Sequence, residues 1–65
     1  MKGTITNALF TKFGINWTEL YYEEGARHEY LQFSTGVDLY YATVLKGGNQ
    51  VTIYKLDKAV NLNED

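Results

Sequence analysis

Apolar and polar residues alternate along residues 17–36 in a pattern that predicts a β-hairpin. The predicted loop has two residues, Gly25 and Ala26, with glycine at the first central position that a type II′ turn requires. This loop pairs Glu24 with Arg27 across the two strands. The pairs that follow, moving away from the loop, are Glu23 and His28, Tyr22 and Glu29, Tyr21 and Tyr30, and Leu20 and Leu31.

The two faces of the predicted hairpin differ in chemistry, because successive side chains of a strand point to opposite sides. The face predicted to cover a core carries Thr18, Leu20, Tyr22, Leu31 and Phe33. The other face is aromatic and acidic and carries Trp17, Glu19, Tyr21, Glu23, His28 and Tyr30. We therefore expect this second face to lie at the surface.

The segment before the hairpin, residues 4–13, predicts a helix. Its apolar stripe consists of Ile5, Leu9 and Phe13 at four-residue spacing, with Phe10 alongside. Thr4 is the candidate N-cap, and Gly14 is the candidate residue in the left-handed conformation that ends the helix. The threonines of this segment would also suit a strand, although the spacing favours the helix.

Residues 37–46 permit two interpretations. Their aromatic and β-branched residues favour a strand that forms a second hairpin with residues 50–56. The same residues also fit a short helix, with Asp38 as N-cap, Lys46 in the last turn and Gly47 after it. Residues 50–56 alternate clearly as a strand, with Val51 and Ile53 on one face and Thr52, Tyr54 and Leu56 on the other.

These elements predict an α+β fold with an antiparallel sheet of three or four strands and one or two short helices. The alternative is a nearly all-β meander with a single N-terminal helix. Because the chain has no proline, repeat or linker, we expect a single domain over residues 1–65. It divides into an N-terminal helical segment (1–16), a sheet-containing body (17–60) and a frayed tail (61–65). Within residues 57–65, Ala59, Val60 and Leu62 are expected to retain some packing.

A chain of 65 residues buries only about 60% of its unfolded surface, and without cysteine it has no disulfide to stabilise it. Six tyrosines together with Trp17 exceed what so small a core can bury with every hydroxyl satisfied. Tyrosine and tryptophan are enriched at protein interfaces. The sequence therefore predicts a homodimer.

Acidic residues are concentrated in residues 17–41, where five carboxylates against one arginine leave a local charge of −4. This distribution disfavours direct binding to nucleic acid and permits binding to a basic partner. No apolar run approaches the length of a membrane span, and the N-terminus lacks the pattern of a signal peptide. We therefore expect no membrane partner and a cytoplasmic location, in the host cell if the chain is phage-encoded.

Catalytic and metal-binding chemistry has few candidates in this sequence. His28 is the single histidine, and the predicted register places it opposite Glu23 as an exposed cross-strand pair. A nucleophile oriented by a base, or three to four metal ligands, is not assembled around it. Residues 47–49 lack the pattern of a phosphate-binding loop and predict a turn. The sequence thus predicts a protein that is not an enzyme and has no cofactor or metal.

A family resemblance adds a specific hypothesis. The chain contains the pattern x-Thr-x-Leu-x-x-acidic-acidic-Gly, then Glu-Tyr, then Gly, which is formed by Thr18, Leu20, Glu23, Glu24, Gly25, Glu29, Tyr30 and Gly36. This pattern resembles that of the small uracil-DNA glycosylase inhibitors of Bacillus podophages. The resemblance covers roughly residues 17–60 and continues through Val44-Leu45, Gly47 or Gly48, Asn49 and the stretch 55–60. It implies a β-β-α-β protomer, a homodimer and a DNA mimic whose carboxylates replace phosphates, with an apolar recess at the dimer interface for the enzyme's intercalating side chain.

Under this resemblance, the leading hypothesis is an inhibitor that occupies the DNA-binding groove of a host uracil-DNA glycosylase. The alternative is a small non-enzymatic protein–protein interaction module of phage or bacterial origin with another partner. The residues expected to mimic phosphates are Glu19, Glu23, Glu24, Glu29 and Asp38. The residues expected to line the recess are Tyr40, Tyr41, Val44 and Leu45.

Overall fold

The structure, a computed structural model, describes residues 2–56. It consists of α1 (Lys2–Phe13), β1 (Thr18–Glu24), β2 (His28–Thr35), β3 (Asp38–Leu45) and β4 (Thr52–Leu56). The strands form one antiparallel sheet in the order β1-β2-β3-β4, and α1 packs against one face of it. This arrangement confirms the α+β class. The predictions about Ala59, Val60, Leu62 and the tail lie outside the described residues.

The N-terminal helix follows its predicted apolar stripe. Ile5 and Leu9 are fully buried, and Phe13 packs against the core. Gly14 has a φ of 64° and donates its amide to the carbonyl of Phe10 at 2.9 Å, which is the predicted glycine end of the helix. The N-cap prediction is wrong, because the helix already begins at Lys2 and includes Thr4. With twelve residues, α1 is too short to cross a bilayer, and no other helix occurs in residues 2–56.

The β1–β2 hairpin forms, but its predicted register is wrong by two residues of β2. Tyr22 pairs with Leu31 instead of Glu29. The amide of Gly25 donates to the carbonyl of His28 at 2.7 Å, so the turn centres one residue later than predicted. Gly25 also lacks the positive φ of a type II′ turn. A shift of two residues keeps each side chain on its face, so the face assignment of β2 survives the error.

The predicted faces are wrong at the start of β1, because the strand has a β-bulge at Leu20. The register shifts between Glu19 and Tyr21, which leaves Leu20 as an extra residue that is 50% exposed. One inserted residue reverses the alternation for every residue before it. Thr18 is therefore exposed instead of in the core, whereas Glu19 and Trp17 lie on the helix side instead of the surface face.

The ambiguous residues 38–45 form strand β3, so the strand interpretation is confirmed and the helix interpretation is wrong. The β-β-α-β order implied by the resemblance is consequently not the order of this chain. Strand β4 has the predicted faces. Ile53 packs against the core, as does Val51 just before the strand, while Tyr54 is nearly half exposed. The loop between β3 and β4 contains Gly47, whose φ of 82° fits the predicted turn.

The core lies between α1 and the sheet. Its buried apolar residues are Ile5, Leu9, Leu31, Phe33, Ala42 and Val44. Phe33 is the centre of an aromatic cluster, with ring centroids 5.4 Å from Tyr40, 5.5 Å from Phe13 and 6.1 Å from Trp17. All of this packing is on one side of the sheet, which leaves the other side without a covering element in residues 2–56.

Candidate functional site

The sheet face opposite α1, which we call the open face, is the main candidate for a functional surface. Because side chains alternate, the strand positions that do not face α1 belong to it. They are Thr18, Tyr21, Glu23, His28, Tyr30, Gln32, Ser34, Leu39, Tyr41, Thr43, Leu45, Thr52, Tyr54 and Leu56. This face therefore carries four of the six tyrosines of the chain.

A line of large side chains crosses the open face from one edge to the other. The register places Tyr21 opposite Gln32, Gln32 opposite Tyr41, and Tyr41 opposite Tyr54. The rings of Tyr41 and Tyr54 stack at 4.8 Å with an interplanar angle of 21°. At the two ends of the line, Tyr21 and Tyr54 are 49% and 46% exposed. Nearly half of the surface of each of these two residues is thus available for contact.

Strand β3 is mostly apolar on both of its faces, with Thr43 the polar residue among its open-face positions. Ala42 and Val44 are buried beneath α1, whereas Leu39, Tyr41 and Leu45 belong to the open face. Antiparallel strands that face water on one side normally alternate apolar and polar residues, and strands covered on both sides do not. The composition of β3 is therefore that of a strand with a second covering layer.

The charges of the hairpin are dispersed over the molecule. Among the described strand positions of the open face, Glu23 is the one carboxylate, and none is a lysine or arginine. Glu23 accepts a hydrogen bond from the Tyr21 hydroxyl at 3.0 Å. Within residues 2–56, the other solvent-accessible carboxylates have lysine partners, in the pairs Glu19 with Lys2 at 2.9 Å, Glu24 with Lys46 at 3.5 Å and Asp38 with Lys55 at 3.8 Å. The open face is therefore aromatic and close to neutral, and the acidic surface expected beside it does not form.

The residues predicted to bind a partner do not form one surface. Glu23, Tyr41 and Leu45 belong to the open face. The remaining members lie elsewhere: Glu19, Glu24 and Asp38 in lysine pairs, Tyr40 stacked on Phe33, and Glu29 and Val44 each 2% exposed in the core. At 2% exposure, Glu29 and Val44 offer a partner almost no surface in this conformation.

The prediction that His28 pairs with Glu23 is wrong. His28 lies opposite Leu45 of β3, and its ring is 6.1 Å from that of Tyr30. It lines a groove of about 570 Å³ at one end of the open face, together with Thr43, Val44, Leu45, Gly48, Asn49, Gln50, Thr52 and Tyr54. The groove presents hydroxyl and amide groups suited to hydrogen bonding. Within residues 2–56, no group of three or more histidine, cysteine, aspartate or glutamate side chains could hold a metal ion.

Tyr22 and Glu29 form a polar contact on the helix side of the sheet. The Tyr22 hydroxyl donates to Oε1 of Glu29 at 3.2 Å, and Lys2 Nζ lies 5.1 Å from the centre of the Tyr22 ring. Burial, followed by the charge of Glu29 and the hydrogen bond to it, raises the pKa of Tyr22 from 10.0 to about 12. The folded state therefore holds the phenol proton more tightly than the unfolded chain does.

We expect this contact to make stability depend on alkaline pH. Because the folded pKa is the higher one, the contribution of Tyr22 is complete below pH 10.0 and is lost as the pH rises towards about 12. Urea unfolding followed by Trp17 fluorescence should show the wild type losing more stability than Tyr22→Phe between about pH 8 and about pH 11. Equal losses in the two proteins would contradict this assignment.

Sequence reasoning identified part of the open face and missed the rest. The alternation of the hairpin placed Tyr21, Glu23 and Tyr30 on an aromatic surface, as the structure does. Tyr54 was not among the predicted partner-binding residues, although the pattern of residues 50–56 had placed it on the face of the strand that does not carry Ile53. The missing information was the pairing of Tyr41 with Tyr54, which the β3–β4 register provides. No protein-family model, no curated protein and no solved structure matches this chain.

Proposed function

We propose that this chain is a small, non-enzymatic interaction module that binds another protein molecule through its open face. The observation that carries the proposal is the line of Tyr21, Tyr41 and Tyr54 across a nearly uncharged sheet surface, with Tyr21 and Tyr54 nearly half exposed at its two ends. The buried centres of protein interfaces are rich in tyrosine and depleted in charged residues. Tyrosine is also among the residues whose truncation most weakens binding.

The charge of the open face supports a protein partner over a nucleic acid. Proteins that stack bases on aromatic side chains combine them with lysine and arginine that contact the phosphates. Among the described strand positions of the open face, the one carboxylate is that of Glu23, and there is no lysine or arginine. A phosphate backbone would lie against a surface without counter-charge, whereas a protein surface of apolar and hydroxyl groups would not.

Site-specific cross-linking tests the proposal directly. A photoreactive benzophenone amino acid is placed at position 54, on the open face, and in a matched protein at position 37. Val37 is 99% exposed in the turn between β2 and β3 and is outside the open face. After irradiation in cells that produce the chain, we expect a protein adduct from position 54 and none from position 37. If position 54 gives no adduct, the proposal is wrong.

A second candidate function, inhibition of uracil-DNA glycosylase, is favoured by the position of three carboxylates. Glu19, Glu23 and Glu24 all belong to β1, an edge strand of the sheet. Side chains spaced along a strand can imitate a row of phosphates, and the basic groove of the enzyme would attract them. Lys2 and Lys46 neutralise part of this charge, which favours the first proposal.

An excision assay tests the second candidate. A bacterial uracil-DNA glycosylase is mixed with a uracil-containing oligonucleotide and an excess of the chain, and released uracil is measured. Inhibition by mimicry should weaken with salt and with the double substitution Glu23→Gln and Glu24→Gln, because both reduce the electrostatic attraction. Unchanged excision at a large excess of the wild-type chain would remove this candidate.

A further inference from the structure

We infer that the partner of the open face is a second copy of this chain, packed sheet against sheet about a two-fold axis. The inference rests on the proposed function, namely that this face binds a protein. It specifies what the sequence left open, which is the surface through which a homodimer would form.

The size of the face fits an occupant as broad as the sheet. The described Cα atoms extend over 30 by 24 Å in the two longer dimensions, an outline of about 720 Å² before side chains are added. A stable interface buries about 800 Å² on each partner. Nearly the whole face must therefore be covered, and a second sheet of the same outline covers it more completely than a single peptide strand.

The charges of the face are compatible with a copy of itself. In a two-fold contact the same patch is present on both partners, so a strongly charged face would repel its copy. The central strand positions of the open face are Tyr30, Gln32, Tyr41 and Thr43, all with uncharged side chains, and Gln32 is itself only 5% exposed. Glu23 lies on the edge strand β1, where water can solvate it. A strongly basic or acidic partner would find no complementary patch here.

The edge formed by β1 is poorly suited to self-association, which favours contact through the face. The bulge at Leu20 interrupts the regular pairing pattern of this edge, and charged side chains of Glu19, Glu23 and Glu24 lie along it. Bulges and charges on edge strands oppose pairing with another strand. Face-to-face packing would leave this edge in solvent and cover the second face of β3, which carries Leu39, Tyr41 and Leu45.

A second sheet packed on the open face would also enlarge the small apolar core. Among residues 2–56, six apolar residues are buried, and all of them belong to the helix side of the sheet. Domains of this size commonly depend on an additional source of stability, of which oligomerisation is one. Two sheets packed at about 10 Å would turn each open face into a second core.

Sedimentation equilibrium of the purified chain tests the inference. At about 100 µM, we expect a mass of about 15 kDa, twice the 7.5 kDa of one chain. Tyr41→Ser and Tyr54→Ser should each raise the dimer dissociation constant about 100-fold, because a tenfold loss at one tyrosine occurs twice across the two-fold axis. Val37→Ser, an exposed apolar truncation outside the face, should leave it unchanged.

The results distinguish a failure of this inference from a failure of the proposed function. A monomeric wild type at this concentration, or a dimer that both tyrosine variants leave intact, overturns the inference. Trp17 lies on the helix side against Phe33, so its unchanged emission shows that a variant remains folded. If Tyr41→Ser unfolds, the nearly half-exposed Tyr21 provides a further variant, Tyr21→Ser. In the cross-linking experiment, an adduct of twice the chain mass supports the second copy, and an adduct with a different protein overturns it while leaving the proposed function standing.

Discussion

The substitution Phe33→Ala is expected to lower the free energy of unfolding by about 3–5 kcal/mol, because it removes a fully buried ring and leaves a cavity. The ring of Phe33 contacts those of Phe13, Trp17 and Tyr40, and so joins the helix to the sheet. A domain of this size has a total stability of about 3–10 kcal/mol. We therefore expect the variant to be largely unfolded, as measured by far-ultraviolet circular dichroism and by Trp17 fluorescence in urea.

Phe10→Ala is the matched control for this prediction. It removes the same side chain from a position that is 53% exposed, where the ring mainly contacts Trp17 at 5.4 Å. The expected loss is about 0.5–1.5 kcal/mol, the range of a single aromatic pair. Similar losses for both variants would mean that the helix does not pack on the sheet in the way described.

The substitution Glu29→Ala is expected to destabilise the chain by about 2–3 kcal/mol, although the sequence placed Glu29 among partner-binding residues. Glu29 is 2% exposed and accepts the hydrogen bond of the Tyr22 hydroxyl. Its truncation leaves a small cavity and a hydroxyl that has lost this acceptor. The effect should therefore appear in urea unfolding at neutral pH and not as a selective loss of partner binding.

Two further variants isolate the contribution of this contact. Glu24→Ala removes the carboxylate that pairs with Glu29 across the strands, but Glu24 is exposed and its Lys46 contact is 3.5 Å long. Its expected cost is below about 1 kcal/mol.

A double-mutant cycle of Tyr22→Phe with Glu29→Ala should give a coupling free energy of about 1 kcal/mol. Additive effects would show that the two side chains act independently.

Several features of the fold were predictable from the sequence, because they depend on neighbours along the chain. The four-residue spacing of Ile5, Leu9 and Phe13 identified the helix, and Gly14 identified its end. Alternation identified the faces of β2 and β4. These faces remained correct despite an error in the register, because a slip of two residues does not change the side to which a side chain points.

Other features depended on pairing between distant residues and were decided by the tertiary structure. The bulge at Leu20 reversed the predicted faces of Trp17, Thr18 and Glu19, and no local pattern marks where an extra residue will be accommodated. The helix or strand state of residues 38–45 was likewise resolved by pairing on both sides, with β2 and β4. Propensity alone was too weak to decide it.

The candidate site shows the same division. Its chemistry was visible in the sequence as a surplus of tyrosines that a small core cannot bury. Its location was not, because Tyr21, Tyr41 and Tyr54 belong to three strands and come into one line only through the registers of the sheet. The carboxylates that are close in sequence were separated for the same reason, since pairing and the bulge place Glu23 on the open face and Glu19 and Glu29 on the helix side, where Glu29 is buried. Local sequence thus determined which side chains were available, and nonlocal strand pairing determined which of them share a surface.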